Sequence, residues 1–83
     1  MIVELYTRPG CHLCEEAKQI LLTAAERHQF DLVERNVEEN RDWEARFGHE
    51  IPVVLIDGRK AFKYRVSPRR LDRYFRREAA DEE

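Results

Sequence analysis

Three features of this 83-residue chain predict an α/β fold, a mixed four-stranded sheet with helices on both faces. Ile2-Val3-Glu4-Leu5-Tyr6 reads as a strand, followed by a helical pattern and a second strand. That order makes a parallel pair joined by a right-handed crossover. Ile51-Pro52-Val53-Val54-Leu55-Ile56 is wholly apolar, the pattern of a strand covered on both faces. Asp57-Gly58 directly after it is a two-residue hairpin signal, which makes the last two strands antiparallel. The element order is therefore β-α-β-α-β-β-α.

Each element has its own local reason. The first strand is stopped by Thr7-Arg8-Pro9-Gly10. A helix from Cys11 or His12 to about His28 carries Leu13, Ala17, Ile20, Leu21, Ala24 and His28 on one face. Phe30 to Val37 reads as the second strand, with Phe30, Leu32 and Val33 as its apolar content. Asn36 or Asn40 caps a short helix in which Trp43 and Phe47 share a side and which ends at Gly48. Ala61 to Val66 alternates Phe62, Tyr64 and Val66 with Lys63 and Arg65, as a half-exposed edge strand does. Ser67-Pro68 supplies an N-cap and a first-turn proline for a last helix striped by Leu71, Tyr74 and Phe75.

Composition bounds the function. Leu, Ile, Val and Phe make up about 25% of residues, enough for a core in one small domain. No apolar run approaches the ~18 to 20 residues that a spanning helix needs. A secretory signal is not recognisable at the N-terminus, so the cytoplasm is the expected compartment. Residues 1–58 hold 6 basic and 12 acidic side chains, and residues 59–77 hold 9 basic against Asp72 alone. The domain is read as 1–77, followed by an acidic tail at 78–83.

The only cysteines are Cys11 and Cys14. A disulfide closing so short a loop removes little unfolded-state entropy, so the pair reads as chemistry rather than as a staple. Cys11 falls where the first helix begins, and unpaired N–H groups with the positive dipole end favour a thiolate there. Arg8, three residues earlier, adds positive charge. Cys14, one turn further on, shares the helix face and can attack a mixed disulfide on Cys11. Half of a zinc site is the competing reading. It is the weaker one, because only His12, His28 and His49 remain as softer ligands and no second close pair exists. A C-x-x-C opening the first helix of a βαβ unit is the context that makes the motif a redox signal.

Tyr6-Thr7-Arg8-Pro9-Gly10-Cys11-His12-Leu13-Cys14, with Ile51-Pro52-Val53-Val54-Leu55-Ile56-Asp57-Gly58 downstream, resembles a glutaredoxin-like protein of the thioredoxin superfamily. The likeness spans residues 1 to about 77. It implies a thioredoxin-like fold and a dithiol thiol–disulfide oxidoreductase in which Cys11 attacks and Cys14 resolves. It also implies that Pro52 is cis, that Ile51 pairs with the main chain of a substrate, and that Arg8 helps bind glutathione. No bound cofactor or metal is implied; glutathione is implied as a co-substrate. Two departures stand out. His12 and Leu13 replace the usual Pro-Tyr between the cysteines. Tyr64-Arg65-Val66-Ser67-Pro68 stands where relatives carry a Gly-Gly-Asp-like segment for the glutamyl end of glutathione. Ser67, the start of the last helix and Arg69 form a partial substitute for holding a carboxylate. Thioredoxin proper is a poorer match, because Trp-Cys-Gly-Pro-Cys is absent.

Other residues carry two readings each. His12 is either a modulator of the thiolate or an exposed spacer, and Tyr6 either lines the groove beside Cys11 or belongs to the core. Trp43 and Phe47 read as core, and Glu4 as an exposed residue rather than a carboxylate serving Cys14. Residues 59–77 resemble a polyanion patch, yet basic edge strands also deter aggregation. Phe62, Tyr64, Tyr74 and Phe75 fall at core spacings, so nucleic acid is not an expected partner. The expected partners are a disulfide-containing protein or a glutathione mixed disulfide, with a reductase or glutathione as electron donor, and the expected state is a monomer. The alternative of a different class is a non-catalytic module that holds a metal or iron–sulfur cluster through Cys11, or docks a partner.

Overall fold

The alternation of β1 (Ile2–Thr7) decides which side chains each layer receives. Val3 and Leu5 fall on one face and Tyr6 on the other, all buried. The computed structural model describes residues 1–81, with side chains through Arg76. The sheet order is β2-β1-β3-β4. β1 runs parallel to β2 (Asp31–Asn36), with Ile2 opposite Asp31 and Thr7 opposite Asn36. It runs antiparallel to β3 (Val53–Ile56), with Val3 opposite Ile56 and Tyr6 opposite Val53. α1 (His12–Ala25) makes the crossover between β1 and β2. The hairpin to β4 (Arg59–Lys63) turns through Asp57 at φ 48° and Gly58 at φ 85°. Two successive left-handed residues are what a type I′ turn needs, and Asp-Gly supplies them.

Helices then cover both faces. α1 and α3 (Pro68–Asp81) pack Ala17, Leu21, Leu71 and Phe75 against Val3, Leu5, Val54 and Ile56. On the opposite face, Val37 and Phe47 pack on Tyr6, Val53 and Leu55, with Trp43 alongside. The predicted fold class is the observed one. No helix of the described residues is long and apolar enough to cross a membrane.

The bounds of four elements differ from the sequence expectation. α1 ends at Ala25, and the amides of Arg27 and His28 both donate to the Ala24 carbonyl in the turn that follows. His28 is therefore off the helix, stacked on Phe75 and bonded through Nε2 to Asp72 at 3.2 Å. β2 begins at Asp31 and stops at Asn36, leaving Phe30 and Val37 outside it. Asn36 caps a 3-10 turn at Val37–Glu39, and Asn40 caps α2 (Arg41–Phe47), so both asparagines are caps. Ile51 and Pro52 precede β3 rather than belong to it. β4 starts at the turn, carries a bulge at Ala61, and ends at Lys63 because Tyr64 takes φ 68°. Tyr64 is 49% exposed, so alternation wrongly assigned it to the core, whereas Val66 returns inward. Ser67 Oγ accepts the Arg70 amide at 3.2 Å and caps α3 as expected. Residues 78–81 continue the backbone of α3, and Glu82 and Glu83 of the acidic tail lie outside the described residues.

Candidate active site

The loop between β1 and α1 closes on itself. Gly10 takes φ 78°, a conformation that glycine adopts at little cost, and the Cys11 amide donates to the Arg8 carbonyl at 3.2 Å. Cys11 then becomes the N-cap of α1, in extended conformation. Its Sγ accepts the Cys14 amide at 3.2 Å, the role that serine or aspartate oxygens usually fill. A thiolate accepts that bond better than a thiol, so the cap and the helix dipole both favour ionisation of reduced Cys11.

The two sulfurs are paired as a disulfide, with Cα atoms 5.2 Å apart, within the range that a bridge spans. Cys11 is half-buried and Cys14 only 3% exposed, so an incoming group meets Cys11 first. The Ile51–Pro52 peptide bond is cis, and Pro52 is fully buried. Ile51 stands outside the ladder, which ends at the Tyr6–Val53 pair.

Arg8 is engaged by partners within the protein. Its guanidinium bonds Glu38 at 3.2 Å, Glu44 at 2.5 Å and the Gly48 carbonyl at 3.4 Å. The bond to Glu44 is the main reason that the Arg8 pKa is raised. One guanidinium is thus shared between two carboxylates. Arg8 ties the cysteine loop to the 3-10 turn and α2.

Tyr6 resolves as core. Its ring lies against Trp43 and Phe47, with centroids 5.7 and 4.4 Å away. Its hydroxyl donates to Glu4 at 3.2 Å, and Arg35 also bonds Glu4, at 2.8 Å. Glu4 is thus partly buried in an ion pair on the α2 face, not serving Cys14. His12 projects outward with its side chain 90% exposed, 4.0 Å from Glu16, which fits the spacer reading. In the basic segment, Lys60 and Lys63 pair with Glu50, Arg76 pairs with Asp72, and Arg70 lies over the Phe62 ring.

Burial, followed by the nearby Glu4 carboxylate, raises the Tyr6 pKa above the ordinary 10.0. A raised pKa stabilises the fold fully below pH ~10, and that contribution is lost as pH climbs through the folded value. Titration of the phenolate absorbance is therefore expected to show a late phase above the ordinary value, belonging to Tyr6. Tyr6→Phe should delete the late phase; deletion of an early phase instead would contradict the burial of Tyr6.

Glu38 and Glu44, which hold Arg8 of the cysteine loop, are the residues that sequence reasoning missed. The two asparagine caps were the available signal, since they aim the acids of the 3-10 turn and α2 back towards the β1–α1 loop.

Residues 2–76 match the family model described as "Glutaredoxin-like domain (DUF836)". The chain belongs to this glutaredoxin-like family. A glutaredoxin-like protein of Dictyostelium discoideum is 32% identical over 75 residues, covering 83% of this chain and 69% of that one. An uncharacterized Mycobacterium tuberculosis protein is 35% identical over 74 residues, covering 83% and 76%. Among solved structures, a Nitrosomonas europaea protein superposes with a TM-score of 0.75 at 24% identity, covering 88% of each chain. A thioredoxin mutant from Halobacterium salinarum gives 0.64 at 18% identity, covering 89% of this chain and 70% of that one. At such identities the structural likeness shows the fold alone. This is a member of a glutaredoxin-like family with a thioredoxin-like fold and a Cys11–Cys14 pair at the start of α1.

Proposed function

We propose that this glutaredoxin-like protein is a dithiol thiol–disulfide oxidoreductase in which Cys11 attacks and Cys14 resolves. The observation that carries this reading is the asymmetry of the pair, with Cys11 Sγ at the helix N-cap, half-buried, and Cys14 enclosed one turn behind it. In the reduced protein the Cys11 thiolate attacks a substrate disulfide, forms a mixed disulfide and releases one thiolate. That thiolate takes the Cys14 proton. Cys14 then attacks Cys11 Sγ, closing the internal disulfide and releasing the second thiol. Two electrons pass from protein to substrate, and an external thiol reductant returns them.

Ile51 beside cis-Pro52 is the proposed pairing point for substrate main chain, because its backbone lies beyond the β1–β3 ladder. With Arg8 held by Glu38 and Glu44, we assign the electron donor to a dithiol reductant or a reductase ahead of glutathione. A reducing compartment such as the cytoplasm suits this direction of flow.

The test is an equilibrium titration in dithiothreitol redox buffers, paired with turnover of 2-hydroxyethyl disulfide. A single two-electron transition of about 30 mV per decade, with turnover well above dithiothreitol alone and weaker support from glutathione, is expected. Failure to accelerate exchange overturns the reading. Visible absorbance in freshly purified protein would support the cluster-binding alternative instead.

A further inference from the structure

Behind the cysteines, on the β2 side of β1, lies a cleft of about 270 Å³. Thr7, Arg8 and the buried Cys14 line it, together with Glu15, Glu34, Asn36 and Glu39. Ile51 and Pro52 do not, so this is a different space from the proposed main-chain groove.

Thr7 is the one buried polar residue among the described residues, at 7% exposure. Its hydroxyl makes no side-chain hydrogen bond among them, and it is not sealed in the core but borders the cleft. The hydroxyl opens to the cleft with its hydrogen-bonding capacity unused by other side chains, so it is available to an occupant with N–H or O–H groups. Charge selects the kind of occupant. Glu34 is paired with Lys18 at 3.3 Å, and Arg8 is held between Glu38 and Glu44. Glu15 and Glu39 have no ion-pair partner among the described residues, although the start of α1 eases Glu15. The field in the cleft is therefore negative. No group of three His, Cys, Asp or Glu side chains among the described residues is placed to hold a metal ion. An organic cation, which spreads its charge over several N–H donors, fits these acceptors better than a bare ion.

We infer that this cleft receives the ammonium or guanidinium group of the substrate. The preferred substrates are then disulfides flanked by a lysine or arginine side chain or another amine. Thr7 Oγ1 and the carboxylates of Glu15 and Glu39 accept the N–H donors, and contact with Cys14 keeps the cation within reach of the exchanging sulfurs. The inference rests on the oxidoreductase reading; electron and proton transfers are those already given.

Three disulfides of different charge test it at pH 7: dicationic cystamine, neutral 2-hydroxyethyl disulfide and dianionic 3,3′-dithiodipropionate. Dithiothreitol resets the protein, and each rate is divided by that of dithiothreitol alone with the same disulfide. Cystamine is expected to lead the neutral compound by on the order of tenfold, with the dianion trailing it by a similar factor. Both gaps should shrink in 1 M salt. Glu39→Gln and Thr7→Val should each lower the cystamine-to-neutral ratio. Separately, n-butylammonium added to the oxidised protein should shift the amide resonances of Thr7 and Asn36, and n-butanol should not. A flat normalised series with the neutral disulfide turned over overturns the cleft and leaves the oxidoreductase standing. Turnover of none of the three overturns the oxidoreductase, and the amide titration then decides the cleft, which fails if butylammonium shifts nothing.

Discussion

Cys14→Ser is expected to stop the reaction half-way, with substrate left joined to Cys11, whereas Cys11→Ser should reduce exchange to the uncatalysed background. The difference follows from position. Cys11 Sγ caps α1, where the Cys14 amide and the helix dipole favour its charged form, and it is the more exposed of the two. Serine at position 14 keeps the backbone amide that donates to Cys11, so attack survives while release is lost. Serine at position 11 still caps the helix, since its hydroxyl is a normal cap acceptor. Loss of exchange in that variant therefore reports lost nucleophile rather than a lost helix. Non-reducing mass spectrometry after incubation with a disulfide peptide separates the two cases. A stable adduct on Cys14→Ser, removed by dithiothreitol, is the expected result. Equal adduct formation on Cys11→Ser would reverse the assigned roles.

The parts of the fold and site written in local sequence were legible; those made by distant contacts were not. Asp57-Gly58 announces its turn because only a few residue types accept two left-handed positions in succession. The Cys11–Cys14 spacing announces its geometry because residues three apart meet on a helix. The ion pairs of Arg8 were not legible for the opposite reason. Its partners lie 30 and 36 residues away in sequence, brought back by two asparagine-capped turns. Tyr64 was misread because alternation assumes a continuing strand, and a single positive φ ends it. The cleft beside Cys14 has no sequence signature at all, being a gap between α1 and the end of β2.

The Arg8 pairs also alter the electrostatic argument at the redox site. A lone arginine three residues before a thiol would lower the thiol pKa. Shared between Glu38 and Glu44, it ties the loop to the 3-10 turn and α2. Activation of Cys11 draws on the N-cap hydrogen bond and the helix dipole, which depend on α1 being well seated on the sheet.

That seating should be most sensitive at Leu21. It is fully buried on the inner face of α1, in the cluster that includes Val3, Leu5, Val54, Ile56 and Leu71. Leu21→Ala removes three carbon atoms from a packed core and is expected to cost about 2–5 kcal/mol. Whole-domain stability at 0.05–0.15 kcal/mol per residue gives roughly 4–12 kcal/mol for this chain, so the substitution takes a large share of it. Leu22, the next residue, is 43% exposed. Leu22→Ala should change stability by less than about 0.5 kcal/mol, since alanine is also the better helix former. Urea denaturation of the oxidised protein, followed by circular dichroism, compares the two directly. A similar loss from both would mean that α1 does not bury the face assigned to it. A large loss at Leu21 alone would tie the seating of the helix that carries both cysteines to one hydrophobic contact with the sheet.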